Sequence, residues 1–184
     1  MRILVLLAVG LCAIPSVARA QVDSPDKPYE FYAQASMIGS DVMNGDSTKF
    51  FGPAPGFRMG GAWNTLPHLG LVGDFGYYRF SDHTGRASLA TFMAGPRVST
   101  EERFRSSWFL QTLFGGTRWS VDSIPQKFTH RKFAGSIGGG LDIRVTDRVT
   151  LRPFEMEFML INTNNILLDA RFSSGFVIRF GRER

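Results

Sequence analysis

The stretch Leu168-Asp169-Ala170-Arg171-Phe172-Ser173-Ser174-Gly175-Phe176-Val177-Ile178-Arg179-Phe180 decides the fold. Every second residue, from Leu168 through Phe172 and Phe176 to Phe180, forms a face that is almost wholly apolar. The alternate face, Asp169, Arg171, Ser173, Gly175, Val177 and Arg179, is mostly polar. A period of two means a strand with different surroundings on its two sides. Two architectures fit. In a soluble sheet the Phe face is core and the charges meet water; in a membrane barrel the Phe face meets lipid and the charges point into the lumen. About a dozen residues is long for a soluble strand and suits a tilted bilayer crossing.

The same period recurs upstream. Strands are predicted at 29–38, 56–64, 69–80, 87–100, 106–119, 133–145 and 149–160, before the one quoted at 168–180. Gly39–Pro55 and Ser120–Lys132 read as long loops rich in turn-forming residues. Thr65–His68, Glu101–Arg105 and Thr146–Arg148 read as short turns, and Ser81–Arg86 and Ile161–Leu167 as medium loops. The connections therefore run long, short, medium, short, long, short, medium. Outer-membrane barrels pair an even number of antiparallel strands with such alternation. The fold class expected is all-β, an eight-stranded antiparallel up-and-down transmembrane β-barrel. No sustained helical spacing follows residue 20, and no stretch is apolar enough for a transmembrane helix.

Residues 1–20 read as a signal peptide, with Arg2, the apolar run Ile3–Ile14 and the cleavage site Ala18-Arg19-Ala20. Residues 21–28 are expected to form a periplasmic leader, 29–180 the barrel and 181–184 a C-terminal tail. Cys12 is the sole cysteine and lies in the signal, so the exported chain has neither a disulfide nor a thiolate metal site. The full chain carries +5; removing Arg2 and Arg19 leaves 5 − 2 = +3. The basic residues are spread singly, which argues against nucleic acid as a partner.

Aromatic rings are expected at both lipid–water boundaries. Trp63 and Trp108 fall at one set of strand ends; Trp119, Tyr77, Tyr78 and Phe80 fall at the other. Trp108 and Trp119 differ in parity, so one faces inward unless Gly115-Gly116 carries a bulge.

Near the end of the chain, Ser173, Gly175, Ile178 and Phe180 resemble the terminal targeting signal of bacterial outer-membrane barrels, although Gly181-Arg182-Glu183-Arg184 follow the aromatic. Phe133-Ala134-Gly135-Ser136-Ile137-Gly138-Gly139-Gly140-Leu141-Asp142, with Leu151-Arg152, is similar to the glycine-rich hairpin of the small OmpA/OmpX-like barrels. Phe92–Arg97 and Leu113–Gly116 look like their middle strands. The resemblance covers nearly the whole exported chain. It implies the outer membrane as location, its lipid and lipopolysaccharide as surroundings, the barrel-assembly machinery as a partner during insertion, a monomer, and no cofactor.

An eight-stranded barrel is just wide enough for side chains to fill. The lumen is expected to hold Arg58, Asp74, Arg97, Gln111, Asp142, Arg144, Glu155, Glu157, Asp169 and Arg171, with both signs in similar numbers. Such a set reads as a structural plug, or else as a polar ligand site or narrow ion path. Catalytic signals are sparse. His68, His83 and His130 fall in turns or loops, without metal-ligand spacing. His130 with Ser120 or Ser123 is the one pair that would suit an outer-membrane lipid-modifying enzyme. A soluble periplasmic lipocalin-like binder of an apolar ligand is the other alternative, with the two faces exchanged. No catalytic, cofactor or metal residue is assigned; the role expected is structural, with Gly39–Pro55 and Ser120–Lys132 as contact surfaces.

Overall fold

The period of two holds along every strand and fixes a single closed sheet. In a computed structural model, residues 28–41, 53–82, 85–100, 105–123, 126–162 and 166–181 are described. The proposed signal peptide lies outside them, as do the leader and tail apart from Pro28 and Gly181. The strands are β1 (Tyr29–Asp41), β2 (Ala54–Leu66), β3 (Leu69–Asp82), β4 (Gly85–Ser99), β5 (Ser106–Ser123), β6 (Gln126–Arg144), β7 (Val149–Asn162) and β8 (Ile166–Phe180). Each pairs antiparallel with its neighbours in sequence. Closure comes from β1 against β8, where Tyr29 meets Phe180 and Asp41 meets Leu168. An edge-free ring is what an antiparallel sheet needs where no water can satisfy its backbone.

All eight expected strands are present. The connections differ from the expected order. Only 42–53 is long; 83–84, 124–125 and 163–165 are short links between strands that extend further than the sequence pattern showed. Most of Ser120–Lys132 is strand, the upper parts of β5 and β6, paired from Ser120↔Thr129 to Ser123↔Gln126. These two strands, 18 and 19 residues long, are taller than the rest, which run from 13 to 15. Loop-length alternation therefore does not describe this barrel. The end that carries 67–68, 100–105 and 145–148, together with Tyr29 and Phe180, is called the turn end below; the other is the loop end.

The faces fall as in a membrane barrel. Phe31, Phe57, Phe92, Phe114, Phe133, Phe172 and Phe176 stand exposed on the outer wall, from 41 % for Phe172 to 60 % for Phe133. Arg58, Arg152, Arg171, Glu155 and Glu157 are buried within. At the turn end Tyr29, Trp63, Trp108 and Phe180 all face outward, and Tyr29 stacks on Phe180 with ring centroids 6.0 Å apart. This is the expected aromatic ring at one boundary. Of the residues named for the ring at the loop end, only Tyr77 lies on the outer face, tilted against the exposed Phe57 with ring centroids 6.0 Å apart. Tyr78 and Phe80 are buried, and Trp119 packs inside against Phe80 at 5.2 Å. The pairing of β5 with β4 and β6 keeps register through Gly115-Gly116, so no bulge there turns Trp119 outward.

Candidate functional site

The lumen holds the chain's densest chemistry. Arg58 of β2 donates from Nε to Asp74 Oδ2 at 3.0 Å, and its Nη1 lies 2.9 Å from Glu155 Oε1. Arg171 of β8 joins Asp74 Oδ1 at 3.2 Å and pairs with Glu157. Arg152 grips Asp142 through two bonds, Nε to Oδ1 at 2.7 Å and Nη2 to Oδ2 at 3.0 Å, and reaches Glu155 Oε2 at 3.2 Å. Arg97 pairs with Glu30, and Arg179 bridges Glu30 at 3.2 Å and Asp142 at 3.8 Å.

These pairs form one unbroken chain of alternating sign: Arg97, Glu30, Arg179, Asp142, Arg152, Glu155, Arg58, Asp74, Arg171, Glu157. Five arginines meet five carboxylates, so the network is neutral as a whole. Neutral groups add further hydrogen bonds to four of the carboxylates. Gln34 donates to Glu155 Oε2 at 2.8 Å, and Gln111 to Glu155 Oε1 at 2.8 Å and to Glu157 Oε1 at 2.5 Å. Tyr32 donates to Asp74 at 2.8 Å and Asn64 to Glu30 at 3.1 Å. With Gln111 from β5, every strand of the barrel contributes. The rings of Phe109 and Tyr32 give the cations apolar faces: Arg152 stands 4.1 Å over Phe109 and 5.4 Å over Tyr32.

A lone buried ion costs several kcal/mol, roughly; a paired and hydrogen-bonded one recovers most of that. The network therefore holds only as a set. It is given room by glycine. A Cβ on Gly138 would lie 2.4 Å from Glu157 Cγ and 2.2 Å from the Met156 carbonyl, so the glycine-rich run of β6 makes space for the β7 carboxylates.

Toward the loop end the lumen turns apolar. On β7 Met159 and Ile161 follow Glu157; on β3 Tyr78 and Phe80 follow Asp74; on β1 Ile38 follows Gln34 and Ser36. Together with Leu89, Ala54 and Trp119 they form a packed core above the ions. Ion pairs thus fill the lumen toward the turn end, and a mainly apolar layer, with Asp169 beside Met159, fills it toward the loop end.

Of the lumen residues expected from sequence, Arg58, Asp74, Arg97, Gln111, Asp142, Glu155, Glu157 and Arg171 are brought together, and Asp169 is buried on the same face of β8. Arg144 is not among them; as the last residue of β6 it lies past the rim and is exposed. Arg152 takes a central place although simple alternation sets it on the lipid side with Phe154. The pairing of β7 with β8 shifts between Arg152 and Glu155, a bulge that lets both point inward. Pro153, which cannot donate to the ladder, was the sequence signal for it. Glu30, Gln34 and Arg179 were legible by parity alone.

The backbone ladder places the candidate histidine and serines along β5 and β6. His68 lies exposed in the 67–68 turn, its Nδ1 3.2 Å from the Ser99 carbonyl oxygen. His83 is outside the described residues. In the ladder His130 pairs with Trp119, while Ser120 pairs with Thr129 and Ser123 with Gln126. Ser123 is thus four residues, about 13 Å, along β5 from the partner of His130. Among the described residues no group of three or more His, Cys, Asp or Glu is placed to hold a metal ion.

No protein-family model matches the chain, and no curated protein matches it in sequence. Solved structures do. Neisserial surface protein A superposes with a TM-score of 0.69 at 16 % identity, over 86 % of this chain and 99 % of that one. Ail, the attachment invasion locus protein of Yersinia pestis, gives 0.57 at 18 % identity over 82 % and 98 %. The N-terminal β-barrel domain of Pseudomonas aeruginosa OprF gives 0.51 at 11 % over 81 % and 97 %. At these identities the likeness is one of fold: an eight-stranded closed antiparallel barrel of the outer-membrane kind.

Proposed function

We propose that this chain is a non-enzymatic outer-membrane protein, a plugged barrel that holds its loop-end structures rigidly at the cell surface. The observation that carries the reading is the ten-residue ion chain inside a wall whose outer face is phenylalanine. A soluble binder needs the reverse. Its apolar lumen would be a ligand cavity, and its phenylalanines would not stand half exposed around the whole circumference. A conducting pore needs a polar path, and here opposite charges consume one another while Tyr78, Phe80 and Trp119 pack beyond them. What remains free to act is the outer surface, since rigid scaffolds carry function on what projects from them. The segment 42–53 and the tall β5–β6 hairpin are the contact surfaces in this reading.

Two measurements test it together. Cells expressing the full chain should carry it in outer-membrane fractions, as a band whose gel migration shifts on heating. Release in osmotic shock fluid would overturn the membrane location. In planar bilayers the purified protein should give no sustained current; large steady conductance would overturn the plug.

A further inference from the structure

The outer wall across β4, β5 and β6 carries a feature the plugged barrel does not use. Phe92, Gly116 and Phe133 stand side by side on three adjacent strands, because Gly116 pairs with Phe92 on one side and with Phe133 on the other. Both rings are more than half exposed. The glycine between them leaves a notch about 10 Å across, two strand spacings. It opens as a groove of about 760 Å³ on the lipid-facing wall. A Cβ on Gly116 would meet nothing nearer than the Lys132 carbonyl at 3.7 Å, so the notch is open space and not a site of forced close packing.

At the groove's loop-end rim stand Arg118 and Arg131. They face outward and are direct cross-strand partners. Like charges opposite each other destabilise a ladder, and no carboxylate among the residues whose burial is described pairs with either one. An anion between them would relieve the repulsion. Their height fits one source of anions. Arg118 is ten residues along β5 from Trp108, which marks the turn-end boundary. At ~3.4 Å per residue and a tilt of about 45°, that is about 24 Å, close to the ~25 Å apolar band of such barrels. The two guanidinium groups therefore sit at the headgroup level of the loop-end leaflet, directly above an apolar slot.

We propose that this wall binds one phosphorylated, acylated glycolipid of the outer leaflet, with an acyl chain lying in the Phe92–Gly116–Phe133 notch and a phosphate held between Arg118 and Arg131. Guanidinium forks suit phosphate oxygens, two bonds at a time. The inference rests on the membrane reading above and adds the lipid class and its seat.

Native mass spectrometry of the purified full chain in detergent, titrated with synthetic bisphosphorylated hexa-acyl lipid A, tests it. The wild type should retain one copy. Arg118→Ser with Arg131→Ser should weaken retention tenfold or more, since two charge-assisted contacts go. Gly116→Leu, which fills the slot and leaves the arginines, should weaken it comparably. Arg148→Ser, at the exposed turn end, should change nothing. On the wild type itself, dephosphorylated lipid A and phosphatidylglycerol should each bind at least tenfold less well. Equal retention of phosphatidylglycerol, indifference to the phosphates, indifference to the variants, or no retained copy would each overturn the assignment. Insertion into phosphatidylcholine vesicles with a heat-shifted band is measured first on every variant. A barrel that inserts but holds no lipid A loses only this inference; a wild type that does not insert loses the membrane reading as well.

Discussion

Arg171 and Phe176 stand five residues apart on β8, and their surroundings are opposite. Arg171 has no exposed surface and is held by Asp74 and Glu157; Phe176 is 58 % exposed and touches whatever surrounds the barrel. The inner wall satisfies charge by geometry. Each guanidinium has a placed carboxylate, so a change there leaves something specific unpaired. The outer wall satisfies nothing in particular. It needs only to be apolar where it meets hydrocarbon, so its tolerance is broad and its failures depend on depth. The two walls should therefore break in different ways.

The largest effect is expected inside. Glu157→Ala leaves Arg171 and Arg58 facing each other with one fewer carboxylate and should cost about 3–5 kcal/mol, read as a lower urea midpoint in detergent with no conductance gained. A smaller loss comes from outside. Ile137→Arg, near mid-height on the outer wall of β6, should cost about 2–4 kcal/mol in a bilayer. The same variant should be far milder in a short-chain detergent, where the charge reaches water; equal loss in both would contradict the lipid-facing assignment. Smaller again is Arg179→Ala. Its side chain is 19 % exposed, and Glu30 keeps Arg97 and Asn64, so about 1 kcal/mol is expected by the same unfolding measurement. Smallest of all is His130→Ala, which should leave lipid A and phospholipid acylation unchanged on expression. A change in acylation lost with His130 would reinstate the enzyme.

The contrast also explains what the sequence made legible. Where both walls have a defined surrounding, parity reads straight through: β8, the Phe57–Trp63 face of β2 and the Asp74 position of β3 all fall as alternation predicts. Arg152 broke the rule because the ladder itself slips at Pro153, and counting by twos cannot cross a bulge unless the bulge is placed. The upper β5–β6 hairpin reads as a loop in sequence for a different reason. Above the membrane neither face meets hydrocarbon, so Ser120–Lys132 has no apolar period to display and its Ser, Asp, Pro and Lys content looks like a loop. The loop-length pattern failed with it, although the barrel it pointed to is present. Trp119 and Tyr78 likewise belong to an apolar layer inside the lumen, which an expectation of charges within and aromatics without does not contain. The groove beside Gly116 left no periodic trace, because it depends on which residues meet across three strands.

Which wall faces lipid can be read from the three tryptophans. Trp63 and Trp108 stand on the outer wall, more than half exposed, and Trp119 packs inside against Phe80. Variants retaining one tryptophan each, reconstituted in vesicles of brominated phosphatidylcholine, should show strong fluorescence quenching for Trp63 and for Trp108 and little for Trp119. Quenching of Trp119 with Trp63 and Trp108 untouched would mean the barrel is inside out, and the account with it.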